Sequence, residues 1–497
     1  MEPWPGHTDR MWVVLSIVVT ALGYLIGIAL IPQIILQRRE SGATLAWVLL
    51  IFFLPYLGAF LFLAMGTQTI RWRRKRRERA ERAVAPGLAA STRLVRPFET
   101  LTEGAALGHL DEPARELARV ADRLALPSCA GNAIELLVDA EATFSSIEAA
   151  IAKARSHVHL DYYIWRADGS GRRLRDLLAN IARSGIEVRV LVDDVGSRAA
   201  GRSFWRPLVD AGGHVGRFLR VNVLSRWLAL NLNNRNHRKI AVIDGAVAFT
   251  GGLNVGDEHF GRVPAVGGWR DTHLRLEGPV VARLQEIFVE DWFHATNEDL
   301  TDARYFPAPA PAGDTRVQIL ASGPDDGRAH AIETIYFGAL TLAKRRAWLT
   351  TPYFVPDPTL AAALRMAALR GVDVRVLVPA KPDQPFVHHA ARSFYPELLE
   401  AGVAIYEYSP TTRLHAKTAT VDGCWATVGS ANLDLRSFRL NFEANAVAYG
   451  PRLARELERV FEQDLVHARR VELAEFRERS FLTRAGEGAA RVLAPLL

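Results

Sequence analysis

Two stretches of this chain repeat one pattern of chemically capable residues, NHRKIAVIDGAVAFTGGLN and LHAKTATVDGCWATVGSAN. His237, Lys239, Asp244, Gly251 and Asn254 of the first stand against His415, Lys417, Asp422, Gly429 and Asn432 of the second, at a constant offset of 178 residues. Gly252 stands against Ser430. A His and a Lys two residues apart lie on one face of a strand. The Asp-Gly pair that follows marks a turn into a second strand. That strand (AVAFT or CWATV) ends in small residues that present the Asn. Each copy therefore offers an imidazole, an ammonium and an amide. Brought together, the copies would place two of each around one cavity.

This set suits displacement at a phosphodiester. One neutral imidazole attacks phosphorus and forms a covalent phospho-histidine. The other, protonated, donates to the leaving oxygen and then takes a proton from the incoming hydroxyl. An ordinary imidazole pKa of about 6.5 serves both roles. Lys239, Lys417, Asn254 and Asn432 supply donors for the charged equatorial oxygens, and Ser430 joins the substrate-binding candidates. Such a site needs no metal and no other cofactor. Carboxylates are expected to orient the imidazoles, and Asp271 in GWRDTH and Glu443 in LNFEAN are the candidates. Asp244 and Asp422 complete the catalytic motif, but suit fixing its geometry better than touching phosphate. A lone His-x-Lys on a strand is ordinarily a solvated face. Two copies with matching distal Gly and Asn favour the functional reading. The residues alone do not say which histidine attacks.

The elements that must hold these groups also repeat. In the first half, 157–165 reads as a strand, 171–184 as a helix and 185–194 as a buried strand. In the second half, 347–354, 359–370 and 371–379 read the same way. This alternation predicts an α/β fold with mainly parallel sheets, built as two similar domains, 131–315 and 316–497, forming a pseudo-dimer. Residues 83–130 read as a linker, loose around Ala85–Pro86–Gly87, and a helical lead-in.

Two uncharged runs, 11–37 and 41–70, precede the body. Each holds the roughly 20 apolar residues needed to cross a bilayer. They predict a transmembrane hairpin within residues 1–70, with spans near 11–36 and 45–66 and Pro55 only kinking the second. A cleaved signal is the alternative for the first run, but little basic charge precedes it beyond Arg10 and a second apolar run follows at once. The formal charge is +7, and it is concentrated. Arg71, Arg73, Arg74, Lys75, Arg76, Arg77, Arg79 and Arg82 face only Glu78 and Glu81. The joint between the runs holds only Arg38 and Arg39, so the positive-inside rule puts the body in the cytoplasm. The basic flank, 71–130 with its linker, would also press that body against anionic lipid. The near-neutral remainder gives no nucleic-acid-sized basic surface. Cys129 and Cys424 are too few for a disulfide framework.

The doubled His-x-Lys-x4-Asp motif resembles that of the phospholipase D superfamily. The runs LAWVLLIFFLPYLGAFLFLAMG, NNRNHRKIAVIDG, GGWRDTHLRLEGP, TPYFVPD and NLDLRSFRLNFEAN are similar to the bacterial cardiolipin synthases, from the hairpin to the C-terminus. The resemblance implies a multi-pass protein of the inner membrane with two phospholipase D-like α/β domains on the cytoplasmic side. It implies transfer between two phosphatidylglycerol molecules, giving cardiolipin and glycerol. By that analogy His237 is the nucleophile and His415 the acid and base. Lipid hydrolysis and other head-group exchange occur in the same superfamily, and fold alone does not choose among them.

Some features admit two readings. Residues 217–230, with Trp227, Leu228 and Leu230, suit either a membrane-dipping segment or a core helix, and so do Phe204 and Trp205. His157 with His159, and His388 with His389, lack further ligands at metal spacing and read as structural or surface residues. Asp193, Asp194, Tyr353 and Phe354 fall at strand ends, where ligands bind in parallel sheets.

Overall fold

The computed structural model describes residues 7–36, 41–63, 70–99, 112–220, 234–264, 266–324, 330–381 and 384–493. The segment 221–233, with Trp227, Leu228 and Leu230, lies outside them, as do the side chains of the basic run 71–81. The chain divides into an N-terminal helical unit and a large α/β unit.

In the helical unit, α1 (His7–Leu36) contains one apolar stretch long enough to span a membrane, Met11–Leu36. The second apolar run does not form the continuous span expected near 45–66. It breaks into α2 (Ser41–Phe53) and α3 (Pro55–Leu61). Leu54 leaves the helical conformation at φ −133°, ψ 69°. Proline removes a helical donor and disfavours helix at the residue before it, so Pro55 does more than kink. Past the break, a Cβ on Gly58 would lie 2.7 Å from the Ile51 Cα. The two pieces pack that closely only because residue 58 is glycine.

The helix α4 (Ile70–Glu99), which belongs to the large unit from Arg74 on, continues through the segment expected to be loose. Gly87 packs there: a Cβ on it would meet the Thr301 hydroxyl at 2.1 Å. Val84 and Leu88 join Trp292, Leu300 and Tyr305 in one apolar cluster.

The first half carries β1 (Cys129–Val138), β2 (His157–Tyr162), β3 (Glu187–Asp193), β4 (His214–Phe218), β5 (Lys239–Ile243), β6 (Val247–Gly251), β7 (Gly268–Arg270) and β8 (Thr272–Glu277). After β9 (Thr315–Ser322), the second half carries β10 (Arg346–Thr350), β11 (Phe354–Val355), β12 (Asp373–Pro379), β13 (Ala404–Tyr408), β14 (Thr412–Leu414), β15 (Thr418–Val421), β16 (Trp425–Gly429), β17 (Leu433–Asp434), β18 (Glu443–Tyr449) and β19 (Ala468–Arg470). One sheet runs β19-β13-β12-β10-β15-β16-β18-β9-β1-β8-β6-β5-β2-β3-β4. Its order reads alike outward from the β9–β1 seam, so the two halves form a pseudo-dimer on a shared sheet. The sheet is mixed rather than mainly parallel. Pairing is parallel among β2, β3 and β4 and among β10, β12 and β13. The motif hairpins β5–β6 and β15–β16 are antiparallel, as short turns require. Helices cover the sheet, and a shared core of Leu274, Leu284, Val317, Val428 and Ala446 crosses from half to half.

The hairpin turns explain the motif aspartates. Asp244 and Gly245 have φ of +55° and +61°, and Asp422 and Gly423 have +54° and +69°. This left-handed pair is what a tight β-hairpin turn requires. The Asp244 carboxylate accepts from the backbone N–H of Arg155, Ser156 and His157. Asp422 accepts from those of Lys344, Arg345 and Arg346. Each carboxylate thus ties its turn to the start of the neighbouring strand, β2 or β10, at the far end of the motif strand from the imidazole.

Candidate active site

The residues before each motif histidine pair with the opposite half. Leading to His237, the Phe442 N–H donates to the Arg235 carbonyl at 2.9 Å, and the His237 N–H donates to the Phe442 carbonyl at 2.9 Å. Leading to His415, β14 pairs with β7 of the first half, and the His415 N–H donates to the Arg270 carbonyl at 2.8 Å. Each imidazole is thereby set beside the carboxylate of the other half. His237 Nδ1 lies 2.9 and 3.0 Å from the two Glu443 oxygens. His415 Nδ1 lies 2.7 Å from Asp271 Oδ2.

Both carboxylates are fully buried and held by further donors. Glu443 accepts from the Ser430 hydroxyl and from Asn441 Nδ2 at 3.2 Å. Asp271 accepts from the Thr272 N–H at 2.7 Å. The difference between Gly252 and Ser430 has a reason here. A Cβ on Gly252 would sit 2.1 Å from Asp271 Oδ1, so the shorter carboxylate needs glycine beside it. The longer Glu443 takes a serine hydroxyl instead. Ser430, expected from sequence among the substrate-binding residues, is fully buried and its hydroxyl supports Glu443.

Lys239 and Lys417 each donate to the carbonyl of their own motif histidine. Burial, reinforced by Lys417, pushes Lys239 down to about 7. Burial with the cationic Lys239 and Lys417 brings His237 down to about 4, against the upward pull of Glu443. Burial favours protonated Glu443, but His237, Lys239 and Ser430 together hold it below the ordinary range. Burial likewise opposes ionised Asp271, yet His415 and Lys417 hold it at about 2. An ionised carboxylate only accepts. The proton of neutral His237 therefore sits on Nδ1, and Nε2 carries the lone pair.

Asn254 and Asn432 are both buried. Asn254 Oδ1 accepts from the Ile164 N–H at 3.2 Å. The Asn432 side-chain oxygen has no protein hydrogen-bond partner among the described residues. Asp193 buttresses the approach to His237, accepting from the Asn236 N–H at 3.1 Å and pairing with Arg235 at 3.3 Å. Asp194 pairs with Arg217. Tyr353 and Phe354 line a groove with Pro352, Val378, Pro379 and His388. Phe204 and Trp205 pack in the core of the first half. His159 bonds Gln285 and stacks on Phe288 at 4.5 Å.

Several neighbours of the imidazoles went unnoticed in the sequence. Tyr163 meets His237 edge-on at 5.0 Å. Trp269 lies 5.1 Å from His415, and His259 lies 6.3 Å from it. Asn236 donates to Asp161 at 2.9 Å, and Arg238 pairs with Asp291 at 2.5 Å. One signal was available: Trp269 precedes Asp271 by two residues on an extended segment, which places both on one face.

A family model described as cardiolipin synthase, PLD-like domain, matches residues 147–292 and 336–465. A second, phospholipase D-nuclease N-terminal, matches residues 25–66. The chain is 40% identical over 466 residues to a cardiolipin synthase of Geobacillus kaustophilus (strain HTA426), covering 93% of this chain and 90% of that one. It is 37% identical over 491 residues to the major cardiolipin synthase ClsA of Bacillus subtilis (strain 168), covering 97% and 100%. Among solved structures, phosphatidylserine synthase from Haemophilus influenzae Rd KW20 superposes with a TM-score of 0.61 at 16% identity, covering 77% of this chain and all of that one. That last likeness is one of fold.

Proposed function

The chain belongs to the cardiolipin synthase family of phospholipase D-like proteins, and on that premise we propose that it joins two phosphatidylglycerol molecules into cardiolipin and releases glycerol. The observation that carries the reading is the crossed pairing of His237 with Glu443 and of His415 with Asp271, with Lys239 and Lys417 alongside. It supplies one nucleophile, one proton carrier and two cations, which is what a double displacement at a phosphodiester needs.

In the first step the His237 Nε2 lone pair forms a bond to phosphorus. The bond from phosphorus to the glycerol oxygen breaks, and His415 gives that oxygen its proton. Glycerol leaves, and the phosphatidyl group stays on His237. In the second step a hydroxyl of another phosphatidylglycerol attacks phosphorus and gives its proton to His415. The N–P bond breaks and its electrons return to His237. Glu443 holds the cationic, phosphorylated imidazole, and Asp271 holds the imidazolium of His415. Lys239 and Lys417 stabilise the equatorial oxygens, in a buried setting where charge counts for more than in water. Asn254 and Asn432 are the proposed amide ligands of the same oxygens.

The apolar α1 supports membrane association. A multi-pass anchor with the catalytic unit on the cytoplasmic side is part of the same proposal, resting on the charge asymmetry of the sequence. So are domain limits of 131–315 and 316–497.

The test is the full chain in detergent–lipid micelles with phosphatidylglycerol as sole lipid substrate. Equimolar glycerol and cardiolipin are expected. Phosphatidic acid as the main product would replace this reading with hydrolysis. A quench in dodecyl sulfate at neutral to mildly alkaline pH, where the P–N bond survives, should trap lipid phosphate on the protein within one turnover, and His237→Ala should abolish the trapped species.

A further inference from the structure

The two sides of the site are built on one plan but finished differently. On the His237 side, the arginine two residues before the histidine is Arg235. It is 2% exposed and paired with Asp193. The residue two before the orienting carboxylate is Asn441, engaged with Glu443. The position five after the motif asparagine is Ser437, whose hydroxyl accepts from the Asn432 N–H.

The corresponding residues on the His415 side are Arg413, Trp269 and His259. Arg413 and Trp269 stand opposite each other in the β14–β7 ladder. That is one rung, about 6.6 Å, out from His415 and Asp271 on the same face. Arg413 lies over the Trp269 ring at 5.9 Å. No carboxylate lies within ion-pair reach of it among the described residues, and its Nε has no hydrogen-bond partner there. Trp269 Nε1 and both ring nitrogens of His259 are also buried without hydrogen-bond partners among the described residues, the Glu258 carboxylate standing off from His259 Nε2 at 3.8 Å. His259 is 3% exposed, packed at 4.6 Å against Trp269.

His259 is held there by design of the turn around it. Its neighbour Asp257 accepts from the Gly169 and Ser170 N–H groups at the start of the helix Gly169–Arg183. Arg166 holds Glu258. Burial and the nearby His415 push His259 well down. A neutral imidazole has one donor and one acceptor, and the indole adds a donor. Buried polar groups are ordinarily satisfied, and here a cluster of them stands unsatisfied beside the proton carrier.

We propose that His259, Trp269 and Arg413 form the acceptor subsite, taking a glycerol head group together with the phosphate to which it is attached. The inference rests on the phosphatidyl-transfer reading and specifies its second substrate. In an in-line displacement the attacking hydroxyl occupies the place the departing glycerol left, on the side of the acid and base. The attacking hydroxyl binds at His415, the head group's remaining hydroxyl meets His259 and the Trp269 N–H, and the glycerol bridge carries its phosphodiester out to Arg413. Water and simple alcohols lack that anion, so Arg413 favours a lipid acceptor over them.

The experiment is a competition. The full chain in micelles receives phosphatidylglycerol with ethanol as second acceptor, and phosphatidylethanol and cardiolipin are both measured. Arg413→Gln is expected to raise the phosphatidylethanol-to-cardiolipin ratio about tenfold, as loss of one charge-assisted contact implies, and Arg413→Lys to restore much of it. His259→Phe is expected to shift the ratio the same way. An unchanged ratio in Arg413→Gln and His259→Phe overturns the inference, whether or not total turnover falls, because a purely structural defect lowers both products together. If the unaltered chain makes no cardiolipin, the functional reading fails first.

Discussion

Asp271 and His415 lie 144 positions apart in the chain and 2.7 Å apart in space, the carboxylate in one half and the imidazole in the other. Glu443 and His237 repeat the exchange in the opposite sense. Each half therefore completes the other's histidine. Asp271→Asn and Glu443→Gln should each lower kcat by about 10²- to 10⁴-fold, the range seen when an orienting carboxylate becomes an amide. Circular dichroism should remain that of the unaltered protein. A loss below tenfold would mean that the imidazoles find their orientation without these groups.

Lys239 sets an alkaline limit. At about 7 it loses its proton within the working range, and the neutral amine no longer stabilises a phosphodiester. kcat/KM, which reports the free enzyme, should fall as pH rises past about 7. Lys239→Arg, whose guanidinium keeps its proton, should remove that fall from the pH profile even if overall activity drops. A Lys239→Arg profile with the same alkaline limb would assign it to another group.

Asp244 and Asp422 should matter to folding more than to chemistry. Each accepts three backbone N–H groups. Asp422→Ala leaves those donors without their acceptor, at about 2–4 kcal/mol. The thermal midpoint should fall, while turnover per folded molecule changes much less than in Asp271→Asn. A large kcat loss at unchanged stability would return this aspartate to the reaction.

His273 gives a stability signature in acid. It is fully buried, both ring nitrogens lack hydrogen-bond partners among the described residues, and burial brings it down to about 3. The unfolded chain takes up this proton below about 6.5, and the folded chain does not until near 3. Stability is therefore untouched above 6.5 and lost as pH falls, by about 2 kcal/mol at pH 5. His273→Asn, which copies Asn445 at the matching position of the other half, should narrow the gap in thermal midpoint between pH 7.5 and pH 5. An equal gap in both proteins would mean that His273 is protonated, or hydrated, in the folded state.

The repeated His, Lys and distal Asn were legible because they sit on one strand and one hairpin, where spacing dictates facing. The α/β halves were legible for the same reason. The crossing of Asp271 and Glu443 was not, since spacing along the chain carries no information on which half a carboxylate faces. Ser430 looked like a ligand because a serine beside an asparagine in a turn reads the same whether it meets substrate or a buried Glu443. The mainly parallel sheet was over-read from the βαβ units, which cover only the wings. The second apolar run has the composition of a span, but Pro55 and the close packing of Gly58 on Ile51 divide it.

The two halves share one sheet across β1 and β9, where Cys129 pairs with Val317 and Asn132 with Thr315 on either side of a register shift, and β9 pairs with β18 over seven residues. Backbone pairing on both sides of the seam ties the separation of the two imidazoles to the fold of the sheet rather than to a linker. On the proposed reaction a small triol leaves and a two-tailed lipid arrives within that shared frame, and the exchange falls to the loops and side chains at the rim.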